Sequence, residues 1–357
     1  MKSCLRVYRL SHTWVASFLI SLGMLSGNAL ASPEGQKLLN EVIAKAKKEG
    51  VLDTAITSGI VKAQSRLIRA FNKRFGMNIE INMARGNMSS KFVQLHATLK
   101  TGGVPAFDTL TGTGQEHVKM KEAGFSTYID NWQTLLAEIN PLVGSGKVKP
   151  EEVSPAPFSG YSFMWSTRSR SFLYNKKLIS ESELPKSVAD LANPKFKGKF
   201  SVPPWTSMWE IGILVYDKDK WLNIADQTGK NAGAVLRYGQ GVDRMILGEF
   251  AFQPTNTYYY WQKKAKDPKL PLGQQWFSDY TPMTRVLHLI PKNSKHPAAA
   301  TLWAMWMTTP EAQAIWQPVN YQSNAAFGQS DIDKEARRSL KASGSKVVTW
   351  YDSSKTI

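Results

Sequence analysis

What most narrows the fold of this 357-residue chain is the alternation of helix-type and strand-type periodicity between residues 36 and 111. Gln36 to Lys48 places Leu38, Leu39, Val42, Ile43 and Ala46 on one helical face. Lys45, Lys47 and Lys48 bring cations to its last turns, where the helix dipole favours them, and Gly50 stops it. Val51 to Thr57 reads as a strand and Ser58-Gly59 as a turn. Ala63 to Phe75 reads as a second helix, with Leu67, Ile68, Phe71 and Phe75 on one face and Gly76 as its cap. Met77 to Met83 alternates as a strand, and Lys91 to Thr101 is a third helix closed by Gly102-Gly103. Phe107 to Thr111 is a short buried strand. Strands separated by helices in this order predict that this first lobe is an α/β unit with a mainly parallel sheet and right-handed crossovers.

Later segments keep the same character. Val235 to Leu247 reads as helical, with Gly239 and Gly241 weakening its middle. Val286 to Ile290 reads as a strand and Pro297 to Met307 as a helix. Thr309-Pro310 begins another helix, with threonine at the cap and proline in the first turn.

The N-terminus has the form of an export leader. Lys2, Arg6 and Arg9 precede an apolar run from Val15 to Leu25, and Ala29-Leu30-Ala31 forms a small-residue cleavage site. The run is shorter than the roughly 18–20 residues that a membrane span needs. The one cysteine, Cys4, lies within this leader, so the mature chain is expected to have no disulfide and no thiol chemistry. A soluble periplasmic protein is the expectation. The formal charge is +17, of which the leader carries three. The basic residues are scattered, with no basic tail and no zinc-finger spacing, so nucleic acid is not an expected partner. Apolar residues make up 42% and charged residues 20%, a balance that supports a packed core. Twelve tryptophans leave indoles to spare for a ligand cleft.

Residues 173 to 200, LYNKKLISESELPKSVADLANPKFKGKF, run from a strand through two short helix-like pieces into the strand at Phe200. This order resembles the middle of type II periplasmic solute-binding proteins, the receptors of ABC importers. Four further motifs agree in order. They are Ala46-x-x-Glu49-Gly50, Ala70-Phe71-x-x-x-Phe75-Gly76, Lys295-His296-Pro297-x-Ala299-Ala300, and Thr308-Thr309-Pro310-Glu311-Ala312-Gln313. In the last, Ala312 replaces the glycine usual in that family. The resemblance spans about residues 36 to 325 and lies nearest the ferric-iron-binding branch of extracellular solute-binding proteins of family 1.

The resemblance implies two α/β lobes joined by crossing strands, closing over one solute and docking on an inner-membrane permease. It implies a monomer, no cofactor and no catalysis. By analogy the crossings fall near Ser159 to Met164 and Tyr280 to Val286. Lobe one is then 33–162 plus 287–325, lobe two is 163–284, and the tail 326–357 has no assigned place.

Ligands of open α/β sheets bind beyond the carboxyl ends of the strands, where loops lead into helix starts. Thr57-Ser58-Gly59, Arg85-Gly86-Asn87 with Ser89-Ser90, and Thr111-Gly112-Thr113-Gly114 are three such turns. Ser58, Gly86 and Thr113 can bring backbone or hydroxyl groups to a solute, and Arg85 adds a planar fork suited to an acid group. In the second half, Arg168 and Arg170 share one face of a strand and form a second clamp. Trp205 offers an aromatic wall, with Thr206 a donor beside it. Asn256 precedes Tyr258-Tyr259-Tyr260-Trp261. This run resembles the adjacent-tyrosine motif of ferric-binding members, which makes Tyr259 and Tyr260 the matching phenolate pair and Fe(III) an alternative ligand.

The leading expectation is a small anionic solute, a carboxylate or phosphonate with aromatic character. An exported hydrolase is a further alternative. It is weakened because the chain has no G-x-S-x-G, no H-E-x-x-H and no histidine pair at ligand spacing. A structural or adhesive protein would show repeats or a β-rich pattern, and neither is visible.

Overall fold

The computed structural model describes residues 32–204 and 210–349, so the leader at 1–31 lies outside the described residues. The first segment follows the predicted alternation: α1 (Pro33–Glu49), β1 (Val51–Ala55), α2 (Gln64–Phe75), β2 (Glu80–Ala84), α3 (Met88–Lys100), β3 (Thr109–Thr113) and α4 (Gly114–Glu122). Ser32 caps α1, accepting a hydrogen bond from the Gly35 amide, and Gly50 and Gly76 end α1 and α2 in the left-handed conformation. Ser58 to Ala63 forms a 3-10 turn ahead of α2. The helices α5 (Trp132–Ile139), α6 (Pro141–Gly144) and α7 (Pro150–Val153) lead into the 14-residue strand β4 (Ser162–Asn175).

The second segment comprises β5 (Ser201–Val202), α8 (Lys218–Asn231), β6 (Ala234–Val235), α9 (Tyr238–Ile246), β7 (Phe252–Asn256), α10 (Tyr258–Lys266), β8 (Leu272–Gln275) and β9 (Thr281–Leu289). The chain closes with α11 (Pro297–Trp306), α12 (Pro310–Asn320), α13 (Asp331–Ser343) and β10 (Val347–Val348). The two helix-like pieces expected after Asn175 are short 3-10 turns, at Glu181–Glu183 and Ala189–Ala192. Gly241 is explained by packing. A side chain there would stand 2.6 Å from Ser201 Oγ and 2.8 Å from Gln253, so α9 lies close on β5 and β7 only because it is glycine.

One curled sheet organises both halves, in the order β2-β1-β3-β9-β4-β7, with β8 also paired to β4 and β10 to β9. The β1 contacts to β2 and β3 are parallel, whereas β9 runs antiparallel to both β3 and β4. On one side of the first half, Leu52, Phe71, Trp303, Trp306 and Trp316 form a core, and Phe92, Leu95, Leu110 and Leu289 form the core on its other side. The second half repeats this design along β4. Phe172 and Tyr174 join Phe200, Trp221 and Phe252, while Leu173 points oppositely to join Val242 and Met245.

Between the two sets of cores, β4 carries a polar run. Phe163, Met164 and Trp165 still belong to the first core, and Phe172 opens the second. Ser166 to Ser171 therefore spans the transition, later on β4 than the Ser159 to Met164 expected by analogy. The tail also has a place. Asp333 of α13, fully buried, accepts hydrogen bonds from Gln317 Nε2 (3.1 Å), Gln313 Nε2 and the amides of Asn324 (2.6 Å) and Ser330 (3.0 Å). Ser339 Oγ receives the Trp276 indole N–H (3.0 Å), and Val348 enters the second core. The tail thus touches both halves.

Asp333→Ala removes a buried carboxylate and leaves several buried donors unsatisfied, at about 1–3 kcal/mol each. The expected result is a loss of about 3 kcal/mol or more, read in urea unfolding. The corresponding Tm fall is about 6 °C or more. An unchanged midpoint would show that the tail does not stabilise the fold.

Candidate functional site

The polar run of β4 is where the site begins. In the ladder, Thr167 faces Arg285 and Arg168 faces Thr284 across β9, and Arg170 faces Asn256 across β7. Period-two alternation puts Arg168 and Arg170 on one face. Arg170 is only 7% exposed. Burial pulls the Arg168 guanidinium below the usual arginine value, and Tyr258 and Glu116 push the other way. Arginine stays protonated under such shifts, so the cation is retained.

The ends of four helices converge on the same space. Asn87 caps α3, its Oδ1 accepting from the Ser90 amide (3.3 Å), and Thr113 caps α4. Arg237 and Thr257 occupy the cap positions of α9 and α10. Helix N-termini carry partial positive charge. The cleft between them has a volume of about 620 Å³ and is lined by Arg168, Arg170, Arg237 and Arg285. Asn256, Tyr258 and Tyr259 form part of its wall, and Thr349 of the tail reaches it. Among the described lining residues there is no aspartate, glutamate or histidine.

A recess of about 310 Å³ adjoins the cleft through Ser89, Thr113 and Arg168, which line both. It contains Glu116. Glu116 Oε2 accepts from the Thr113 amide and hydroxyl (both 2.6 Å), and Oε1 accepts from the Ser89 hydroxyl (2.7 Å).

This geometry, an α/β sheet with two sets of cores and a polar cleft at their transition, agrees with the comparisons to known proteins. Residues 66–321 match the family described as bacterial extracellular solute-binding protein. The chain belongs to that family. Its fold is that of type II periplasmic-binding proteins. Iron-bound HitA from Pseudomonas aeruginosa is similar at 18% identity and a TM-score of 0.65, over 82% of this chain and 99% of that one. The Trichodesmium protein IdiA (FutA), in complex with iron and citrate, is similar at 18% identity and 0.60, over 83% and 100%. The spermidine/putrescine ABC-transporter substrate-binding protein PotD from Streptococcus pneumoniae is similar at 15% and 0.63, over 85% and 94%. No curated protein matches the sequence.

In this solute-binding protein the residues singled out from sequence fall into three groups. Thr113, Arg168, Arg170, Asn256 and Tyr259 line the cleft, and Gly86 lines the recess. Arg85 is exposed, and it is not among the lining residues of either. Ser58 lies in the 3-10 turn, its side chain outside the described set, and Trp205 and Thr206 lie outside the described residues. The tyrosine pair is shifted by one. Tyr258 and Tyr259 face the cleft, their rings 4.4 Å apart, while Tyr260 packs on Trp261 at 5.2 Å. The motif starts a helix, whose residues turn by about 100° each, so the third tyrosine leaves the face of the first. Sequence reasoning missed Arg237, Arg285 and Thr349. Arg237 lies just outside a helix, and Arg285 lies in a part of β9 without apolar alternation.

Two histidines, on α4 and β9, are buried. His117 of α4 contacts Ser162 Oγ through Nδ1 (2.8 Å), and His288 of β9 contacts Thr109 Oγ1 (3.3 Å). Burial pushes both imidazoles down to about 3, and His288 adds to the effect on His117. Unfolded histidine titrates near 6.5. The unfolded chain therefore binds more protons below that pH, and stability is full above about 6.5 and lost as pH falls towards 3. Between pH 6.5 and 4.5 the loss is about 2–3 kcal/mol per histidine. Urea midpoints should fall over this range, and His117→Asn with His288→Asn should flatten the slope. Equal slopes in parent and variant would refute the assignment.

Proposed function

We propose that this protein is the periplasmic receptor of an ABC importer and that it captures a small organic anion. The observation carrying this is the cleft itself: four arginines and four helix starts around one space, with no acidic lining residue among those described. A cleft lined by charge of one sign focuses a field that attracts an anion. Arginine forks suit the planar or tetrahedral oxygens of carboxylates, phosphates and phosphonates. The ring faces of Tyr258 and Tyr259 suit an unsaturated or aromatic body. The export leader with its cleavage site near Ala31, delivery to a membrane permease and a monomeric state complete the proposal. The lobes are then about 33–165 plus 286–325 and 172–280, with the first crossing at Ser166–Ser171.

Iron held through tyrosines is the weaker alternative. Hard Fe(III) favours phenolate and carboxylate oxygens. Here burial raises the Tyr259 hydroxyl above the usual tyrosine range, the cleft lining described has no carboxylate, and Glu116 of the adjoining recess is held by Thr113 and Ser89. Ferric citrate is the discriminating probe. A visible phenolate-to-iron band would favour iron, whereas citrate bound without the band favours the anion. Hydrolysis gains no support either: the cleft lining described has no histidine or acid, and Glu116 of the adjoining recess is taken up by Thr113 and Ser89 with no nucleophile–base pair beside it.

The test is a thermal-shift screen over carboxylates, phosphates, phosphonates, spermidine and iron, followed by calorimetric titration of the best hit. Anions should raise Tm by mass action. Arg168→Ala and Arg170→Ala should each weaken binding by about 10–100-fold, the worth of a buried charge-assisted hydrogen bond. Arg237, an exposed residue, should matter less and mainly at low salt. Stabilisation by spermidine or iron and by no anion would overturn the proposal.

A further inference from the structure

The hydroxyl protons beside Glu116 are already committed. A hydroxyl has one proton to donate and two lone pairs. Ser89 and Thr113 both give theirs to Glu116, at 2.7 and 2.6 Å. What these two oxygens still present is lone pairs. Glu116 itself is acceptor-only when ionised. Thr57 Oγ1, also on the recess wall, is buried and has no hydrogen-bond partner.

We propose that this recess is a second subsite that accepts hydrogen bonds, so that the solute is an anion also carrying an ammonium or hydroxyl group. The inference rests on the anion-receptor function above and narrows its ligand class. The two ends of the site have opposite chemistry. Arg168 and Arg170 donate to the acid group, and the Glu116 network receives the donor group of the same molecule.

A simple helix cap does not account for Glu116. Capping of α4 uses Oε2 alone, through the Thr113 amide and hydroxyl. Oε1 reaches across to Ser89 at the start of a different helix, α3. The space is also kept by glycine. A side chain at Gly112 would stand 3.1 Å from Glu116 Oε2 and 2.5 Å from the Phe92 ring. An ammonium placed here meets a carboxylate and hydroxyl oxygens, and the neighbouring Arg168 is neutralised by the anionic end of the solute.

Matched pairs of probes test the subsite by isothermal titration calorimetry on the mature full chain. The pairs are ethyl phosphate with phosphoethanolamine, and propionate with β-alanine. In at least one pair the amine-bearing member should bind about tenfold tighter or better, the worth of a hydrogen bond to a charged group. Glu116→Gln should bring that ratio down to about one. Ser89→Ala, a milder change at an exposed position, should reduce it by about threefold, which keeps the test decisive if the first variant folds poorly. Equal affinity within both pairs, or a preference that survives both variants, would overturn the subsite while leaving the anion receptor standing. If neither member of either pair binds, and the wider screen finds no anion, both proposals fall.

Discussion

The antiparallel ladder between β4 and β9 is the interaction on which the rest depends. These two strands pair from Ser162 to Ser169 on one side and from Met283 to Leu289 on the other. Their outer ends belong to different cores. Phe163, Met164 and Trp165 pack with Val286 and Leu287 in the first, and further along β4 Phe172 enters the second. A strand that serves two cores must cross a stretch belonging to neither. Ser166 to Ser171 joins neither core, and its polar side chains meet polar surroundings instead: Ser166 donates to Gln322 Oε1 (3.0 Å), Thr167 donates to the Ser323 carbonyl (3.2 Å), and Arg168 and Arg170 line the cleft.

Rigid strands are also the best place for charged groups that must be held in register. Arg168 and Arg170 are two residues apart on β4, and Arg285 comes from the strand beside it. Their separation is set by the pleat rather than by loop conformation. Loops at the helix starts bring the softer groups: Asn87 and Ser89 from α3, Thr113 from the turn into α4, and Tyr258 and Tyr259 from α10. Cations come from the sheet and from the edge of α9, while the hydroxyl network around Glu116 comes from the starts of α3 and α4. Strongly directional clamping therefore rests on the stiffest elements.

Most of the fold was legible because helix and strand periods differ. Leu67, Phe71 and Phe75 mark the buried face of α2, and Gly50 and Gly76 mark helix ends, all where the periodicity placed them. Strands fared less well at their polar ends. Val286 to Leu289 is apolar and visible, but Thr281 to Arg285 of the same strand carries no hydrophobic pattern, so Arg285 went unread. The tyrosine run shows a different limit. Adjacent residues point to opposite faces on a strand but turn by only about 100° on a helix, so choosing between Tyr258–Tyr259 and Tyr259–Tyr260 requires knowing which element begins there. Thr349 could not have been found at all by local pattern. It reaches the cleft only because β10 pairs with β9 and Val348 fills a core position beside it.

The tail and the cleft bear on the same mechanical point. Asp333 fixes α13 to the glutamines of α12 beside the first core, while Ser339 and Val348 engage the second. β10 then adds to β9 at Thr281 and Pro282, just where that strand leaves the second core. Any rotation of one half against the other must deform this bridge as well as the β4–β9 ladder. A solute held by Arg168 and Arg170 on the strands, and by Thr113 across the cleft, shifts such an equilibrium only by its difference in affinity for the two arrangements. Contacts from both sides of the cleft are what create that difference. Under the proposed receptor function, a solute reaching only the arginines would bind an open and a closed arrangement alike, and one long enough to reach Thr113 and Glu116 as well would favour closure.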